Sequence, residues 1–229
     1  MTLKAAIYHF TDVSNRRPKI YRDQIKKLKE YAVSLGFEDT DIYCDMSLKR
    51  CERSEFDRFL SCCDQYDALV TKDYYHISKN TGKCLKTMQE LQRMGIQIYT
   101  LEDGIFIWKD APFDEPLRVA TYTCHFGSQN EMKEVISVRN DIFSLFTNKK
   151  TNWTVLDQYY DENLRQRDCE QIQMKEIITN RDKYDLLLVH NLNDIHWRTA
   201  NFCKIREQLQ IDIYSLQEGL LEYRKEMQT

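Results

Sequence analysis

Short apolar runs alternate with segments whose apolar positions recur every three or four residues. Ala5 to Phe10 is apolar apart from His9, the pattern of a strand buried on both faces. Ile25, Leu28, Tyr31, Ala32 and Leu35 share one face. They predict an amphipathic helix over Gln24 to Leu35, stopped by Gly36. Asp41 to Cys44 reads as a short strand, and Ser54 as the N-cap of a helix running to about Cys63. Asp67 to Thr71 is an apolar strand. Leu85, Met88, Leu91 and Met94 mark a helix ended by Gly95, and Ile96 to Leu101 closes the series as a strand. Such alternation predicts an α/β fold with a mostly parallel sheet flanked by helices.

The second half repeats the first. Leu3 to Tyr8 (LKAAIY) faces Leu117 to Tyr122 (LRVATY), and Tyr66-Asp67-Ala68-Leu69-Val70 faces Tyr184-Asp185-Leu186-Leu187-Leu188. Ile98 to Gly104 (IYTLEDG) faces Ile213 to Gly219 (IYSLQEG), all at offsets between 114 and 118. Several matches in one order predict two tandem copies of one unit. The expected division is a first domain over 1–107, a linker over 108–116 with Pro112 and Pro116, and a second domain over 117–229. The second copy closes with a helix at Asn201–Leu209 and a strand at Ile211–Leu216.

Composition narrows the function. Among 229 residues, 42% are hydrophobic and 30% charged, with only six Gly and three Pro, which suits packed domains with a solvated surface. No apolar run approaches the roughly 20 residues that span a bilayer, and Met1 to Phe10 lacks the layout of a signal peptide. A cytoplasmic protein is expected. The eight cysteines include no Cys-x-x-Cys pair, so reduced core thiols are expected rather than disulfides or zinc. His9 with His125, or His190 with His196, lacks the spacing of a metal site, and no glycine-rich phosphate cradle occurs. Neither a metal nor another cofactor is expected. The net charge is −3, with 17 basic against 16 acidic residues up to Gly104 and 16 against 20 beyond it. Tight DNA binding usually needs a stronger basic bias.

Ligands of such sheets bind at the carboxyl ends of the strands, here the loops after Phe10, Cys44 and Lys72. These loops resemble the catalytic N-terminal domain of serine site-specific recombinases, the resolvase and invertase family. The first strand of that family ends in Tyr-x-Arg-x-Ser, and here it reads Tyr8-His9-Phe10-Thr11-Asp12. The family's Val-x-Lys-x-x-Asp-Arg-Leu-Ser-Arg faces Val70-Thr71-Lys72-Asp73-Tyr74-Tyr75-His76-Ile77-Ser78-Lys79. The helix Gln24 to Ala32 and the closing Leu101-Glu102-Asp103-Gly104 also look like the family.

The resemblance implies a serine that attacks a DNA phosphate, helped by several arginines. Phe10 and Asp12 stand where the first arginine and the serine belong, while Tyr75, His76 and Lys79 replace the later Asp-Arg…Arg. Arg53 alone matches an arginine of the family. Each lost group of this kind costs about 2.7–4 kcal/mol of transition-state stabilisation. The candidate catalytic residues are therefore vestigial: Ser14, from a loop shifted by two residues, with Arg53, His76 and Lys79. In the second copy Ser128 follows Tyr122, Asp194 and Trp197 take the arginine positions, and Cys169 faces Arg53.

Arg16, Arg17, Lys19 and Arg22, with Lys49 and Arg50, form a basic tract that suits either DNA phosphates or a solvated face. The family's long helix and DNA-binding domain are not expected after Gly104 or after Gly219. The expected function is a catalytically degenerate accessory of DNA recombination from a mobile element, with DNA or a related active recombinase as partner. The two copies are expected to form an intramolecular pseudo-dimer. A residually active recombinase using Ser14 and a DNA-free scaffold remain the alternatives.

Overall fold

The computed structural model describes residues 3–12, 18–47, 53–103, 106–109, 115–125, 129–162 and 171–223. The chain divides into two compact units, Met1–Ile105 and Phe106–Thr229. In the first, β1 (Lys4–Asp12), β2 (Asp39–Ser47), β3 (Ala68–Thr71) and β4 (Gln97–Thr100) form a sheet of order β2-β1-β3-β4. Every neighbouring pair is parallel. Helices α1 (Pro18–Ser34), α2 (Ser54–Ser61), α3 (Tyr74–Ile77) and α4 (Thr81–Arg93) supply the crossovers, as parallel strands require.

β3 is buried along its whole length, and Ala5, Ile7, Leu28, Ala32, Phe37, Ala68 and Val70 form one core cluster. Helix α1 begins at Pro18 rather than Gln24: proline suits the first helical position, and Tyr21 extends the stripe of Ile25 and Leu28 by one turn. Met94 caps α4 and is exposed instead of continuing its stripe. Gly36 and Gly95 have φ of 93° and 84° just past their helices, the left-handed stop that glycine tolerates best.

The second unit holds β5 (Ile107–Lys109), β6 (Leu117–His125), β7 (Trp153–Glu162), β8 (Leu186–Val189), β9 (Asp212–Ser215) and β10 (Gly219–Glu222), in the order β5-β10-β9-β8-β6-β7. The four strands β7-β6-β8-β9 are parallel, while β10 runs antiparallel to both β9 and β5. Helices α5 (Gln129–Thr147), α6 (Ile172–Thr179) and α7 (Thr199–Leu209) accompany them. Phe106 is buried at the start of this unit against Phe202, with the Arg206 guanidinium 4.2 Å from its ring.

Several connections recur in the two units. Tyr8 donates to Asp45 at 3.1 Å, and Tyr122 to Asp161 at 3.0 Å. Tyr66 reaches Asp41 at 2.7 Å, and Tyr184 reaches Asp157 at 2.6 Å. The Lys4 and Arg118 amides each donate at 2.8 Å or less to Asp67 and Asp185. Among the described residues no helix is long and apolar enough to cross a membrane.

Candidate functional site

β1 is followed by β2 on one side and later by β3 on the other, so the first unit's switch point lies at the carboxyl ends of β1 and β3. Neighbouring side chains along a strand point to opposite faces. Tyr8 and Phe10 face one way, towards α2, and His9 faces the other, towards α1.

On the α2 face, Asp45 from β2 organises the helix start. Its carboxylate accepts from the Glu55 and Phe56 amides at 3.0 Å each, besides Tyr8. Ser54 is thus not the N-cap: Arg53 holds that position without a side-chain cap, and the cap comes from a residue distant in sequence. Burial, ahead of the Asp45 charge and hydrogen bond, pushes the Tyr8 hydroxyl far up.

Arg53 is half-buried, and its Nη1 donates to the His76 carbonyl at 2.6 Å and to the Ile77 carbonyl. The guanidinium carbon lies 4.8 Å from the Phe10 ring centre. Lys79 is exposed, with Nζ 5.4 Å from both the Phe10 and Tyr75 rings. Of the candidate residues, Arg53 and Lys79 thus meet around the Phe10 ring, whereas His76 offers Arg53 only its carbonyl and turns its side chain to His9 on the other face.

On the α1 face, His9 is 2% exposed, and neither ring nitrogen has a hydrogen-bond partner among the described residues. It stacks on His76 at 5.0 Å and tilts against Tyr21 at 5.8 Å. Burial, helped by the charges of His76 and Lys72, pulls its pKa down to about 4. The His76 ring is fixed by Asp73, whose Oδ1 lies 2.6 Å from His76 Nδ1 and also accepts the His76 amide at 3.0 Å. Burial alone would raise the Asp73 carboxyl, but the hydrogen bond and charge of His76 hold it below its ordinary value. Tyr74 is fully buried, and Tyr99 packs on Phe37.

Ser14, Arg16, Arg17, Lys49, Arg50, Ser128 and Cys169 lie outside the described residues. Lys19 belongs to the first turn of α1, and its side chain is likewise outside them. Arg22 is exposed on α1, and Lys26 on the same helix sits 3.7 Å from Glu30. Exposed pairs of that kind contribute little.

In the second unit Gln171, not Cys169, stands at the start of α6 as Arg53 does at α2. Its Nε2 donates to the Ile195 carbonyl at 2.6 Å and to the Tyr122 hydroxyl at 3.1 Å. A neutral amide therefore makes the carbonyl contact that the guanidinium makes in the first unit. Asp161 accepts from the Gln173 and Met174 amides, as Asp45 does at α2. Asp194, at one of the family's arginine positions, is buried and bound by Arg139 from α5 at 2.6 Å. Burial raises its carboxyl against the opposing pull of Arg139. Arg139 was missed because nothing local in sequence links it to the loop after β8.

A family model described as the resolvase N-terminal domain matches residues 13–124. This stretch is resolvase-like. The match starts just after β1 and ends within β6. Among solved structures, the N-terminal catalytic domain of TP901-1 integrase is 21% identical, covering 44% of this chain and 80% of that one at a TM-score of 0.39. A resolvase family site-specific recombinase from Streptococcus pneumoniae is 18% identical, covering 64% and 89% at 0.39. The C-terminal catalytic domain of ISC1926 TnpA, an IS607-like serine recombinase, is 17% identical, covering 64% and 84% at 0.38. No curated protein matches the chain.

Proposed function

We propose that this resolvase-like chain is a catalytically degenerate serine-recombinase relative that acts by binding, as an accessory in DNA recombination. Arg53 carries the reading. Transfer of a phosphodiester to a serine needs several guanidinium groups turned towards the non-bridging oxygens. Nη1 of Arg53 is instead engaged by the His76 and Ile77 carbonyls, and its flat face lies against Phe10. Gln171 holds the corresponding loop without any charge, which favours a positioning role for Arg53.

The partners in this reading are DNA or a related active recombinase, and the origin is a mobile element. The second unit is a diverged copy of the first, a view supported by the paired Tyr8–Asp45 and Tyr122–Asp161 bonds and by the shared order of four parallel strands. The two copies stand in for the two subunits of a dimer. Incubation with supercoiled plasmid tests the catalytic part: the reading expects intact supercoiled DNA, while relaxed or nicked product that disappears in Ser14→Ala would refute it. Retention of the plasmid that weakens in Arg16→Ala/Arg17→Ala supports the binding role over a DNA-free scaffold.

A further inference from the structure

The loop between β8 and α7 exposes a group of side chains with no counterpart in the first unit. Trp197 is 38% exposed, at the carboxyl end of the second unit's parallel strands. The Arg198 guanidinium carbon lies 4.8 Å from the Trp197 ring centre. The His196 ring is nearly parallel to the indole, at 17° and 6.4 Å between centres. Where the first unit carries Ser78, Lys79 and Asn80, the second thus carries His196, Trp197 and Arg198.

This layer is held in place from below. His196 Nδ1 accepts the Arg198 amide at 2.9 Å, and the Asn201 side-chain amide lies 3.0 Å from His196 Nε2. A ring nitrogen that accepts a main-chain N–H is unprotonated, so His196 is a neutral flat ring of fixed orientation. Burial and the charge of Arg198 act in the same direction on its pKa, lowering it. No carboxylate pairs with Arg198 among the described residues. The acid on the same loop, Asp194, is neutralised by Arg139. The result is an exposed indole, a stacked cation that no carboxylate among the described residues neutralises, and a histidine ring of fixed orientation nearly parallel to the indole.

We propose that the His196–Trp197–Arg198 face binds single-stranded nucleic acid, with one unpaired base stacking on the indole–guanidinium layer and the adjoining phosphate meeting the Arg198 charge. Every base has a π-face, so the contact is tolerant of sequence, and a base inside a duplex cannot offer that face. A positive charge that pairs with no carboxylate among the described residues favours an anionic polymer over an apolar protein surface. The proposal goes beyond the accessory reading, since it needs neither recombination nor a serine nucleophile.

The test uses the full chain and a short fluorescently labelled oligo(dT), read by anisotropy and by intrinsic tryptophan emission. Binding with saturable quenching is expected. Trp197→Ala should weaken it about tenfold, while Trp197→Phe keeps an aromatic face, retains most of the affinity and loses the quenching. Arg198→Ala should weaken binding and lower its salt dependence by about one counter-ion. Circular dichroism should match the wild type in each variant. No binding of oligo(dT), affinity unchanged in Trp197→Ala, or equal loss in Trp197→Ala and Trp197→Phe would overturn the proposal. Self-association that Trp197→Ala abolishes, without oligonucleotide binding, would assign the face to a protein contact and overturn it as well. Oligonucleotide binding that survives Trp197→Ala sinks this site but leaves the DNA-binding reading of the chain standing.

Discussion

Replacing Arg53 by alanine and by glutamine separates its two conceivable roles. In the structure its Nη1 joins the start of α2 to two carbonyls at the end of α3, and its face covers Phe10. Alanine removes hydrogen bonds from a charged donor, about 1.5–3 kcal/mol, and a cation–π contact of about 0.5–1 kcal/mol. A loss of about 2–4 kcal/mol follows, and at about 4 °C per kcal/mol for a domain of this size the melting temperature falls by roughly 8–16 °C. Glutamine can reproduce what Gln171 does towards the Ile195 carbonyl and the Tyr122 hydroxyl, so Arg53→Gln should lose only about 1 kcal/mol or less. Urea and thermal unfolding followed by circular dichroism compare the two. Equal destabilisation by both substitutions, or a change below about 0.5 kcal/mol in Arg53→Ala, would refute the positioning role. The charge would then have a purpose that the carbonyl contacts do not explain.

Other consequences follow from the same packing. Asp45→Ala orphans the Tyr8 hydroxyl and two amides at the start of α2, and should cost about 2–4 kcal/mol in urea unfolding; Asp161→Ala should act alike through Tyr122, Gln173 and Met174. His9 stays neutral in the folded chain down to about pH 4, whereas its unfolded form takes up a proton near pH 6.5. The stability tied to this difference is complete above pH 6.5 and is lost as the pH falls towards 4, about 2 kcal/mol of it between pH 7 and 5. Unfolding midpoints at those two pH values should diverge in the wild type and draw closer in His9→Phe; an unchanged gap would count against a buried neutral His9. Asp73, held below its ordinary carboxylate value, should add stability that is present above about pH 4 and lost as the pH falls further, a loss that Asp73→Asn should flatten.

β1 and β3 were legible because their buried middles, Ala5–Tyr8 and Ala68–Val70, are apolar. β2 instead extends past the expected Asp41–Cys44 to Asp39–Ser47, with polar residues at both ends. The start of α1 was set too late, although Tyr21 stands in register with Ile25 and Leu28 and packs against His9. The true cap of α2 was hidden for another reason. Asp45 reaches the helix across a loop, while Ser54 has the local signature of a cap. Setting Cys169 against Arg53 overlooked a difference in loop length. The offset is 116 from Asp45 to Asp161 but 118 from Arg53 to Gln171, so counting from the strand put Cys169 where Gln171 stands. The family resemblance pointed to the loops that carry Arg53, His76 and Lys79, but not to the opposite faces on which the His76 ring and the other two side chains lie. That Arg53 faces backbone and Phe10, and that Arg139 meets Asp194, depends on contacts between distant elements, which no local pattern encodes.

A phosphorus atom under attack needs convergent cations, and the strand end of the first unit turns its retained arginine to carbonyl oxygens. Mass spectrometry of the protein digested after incubation with single- and double-stranded DNA tests this point most directly. The account predicts that every serine-containing peptide, including the one with Ser14, is recovered at its unmodified mass. A peptide bearing a nucleotide through a phosphoserine bond would contradict it.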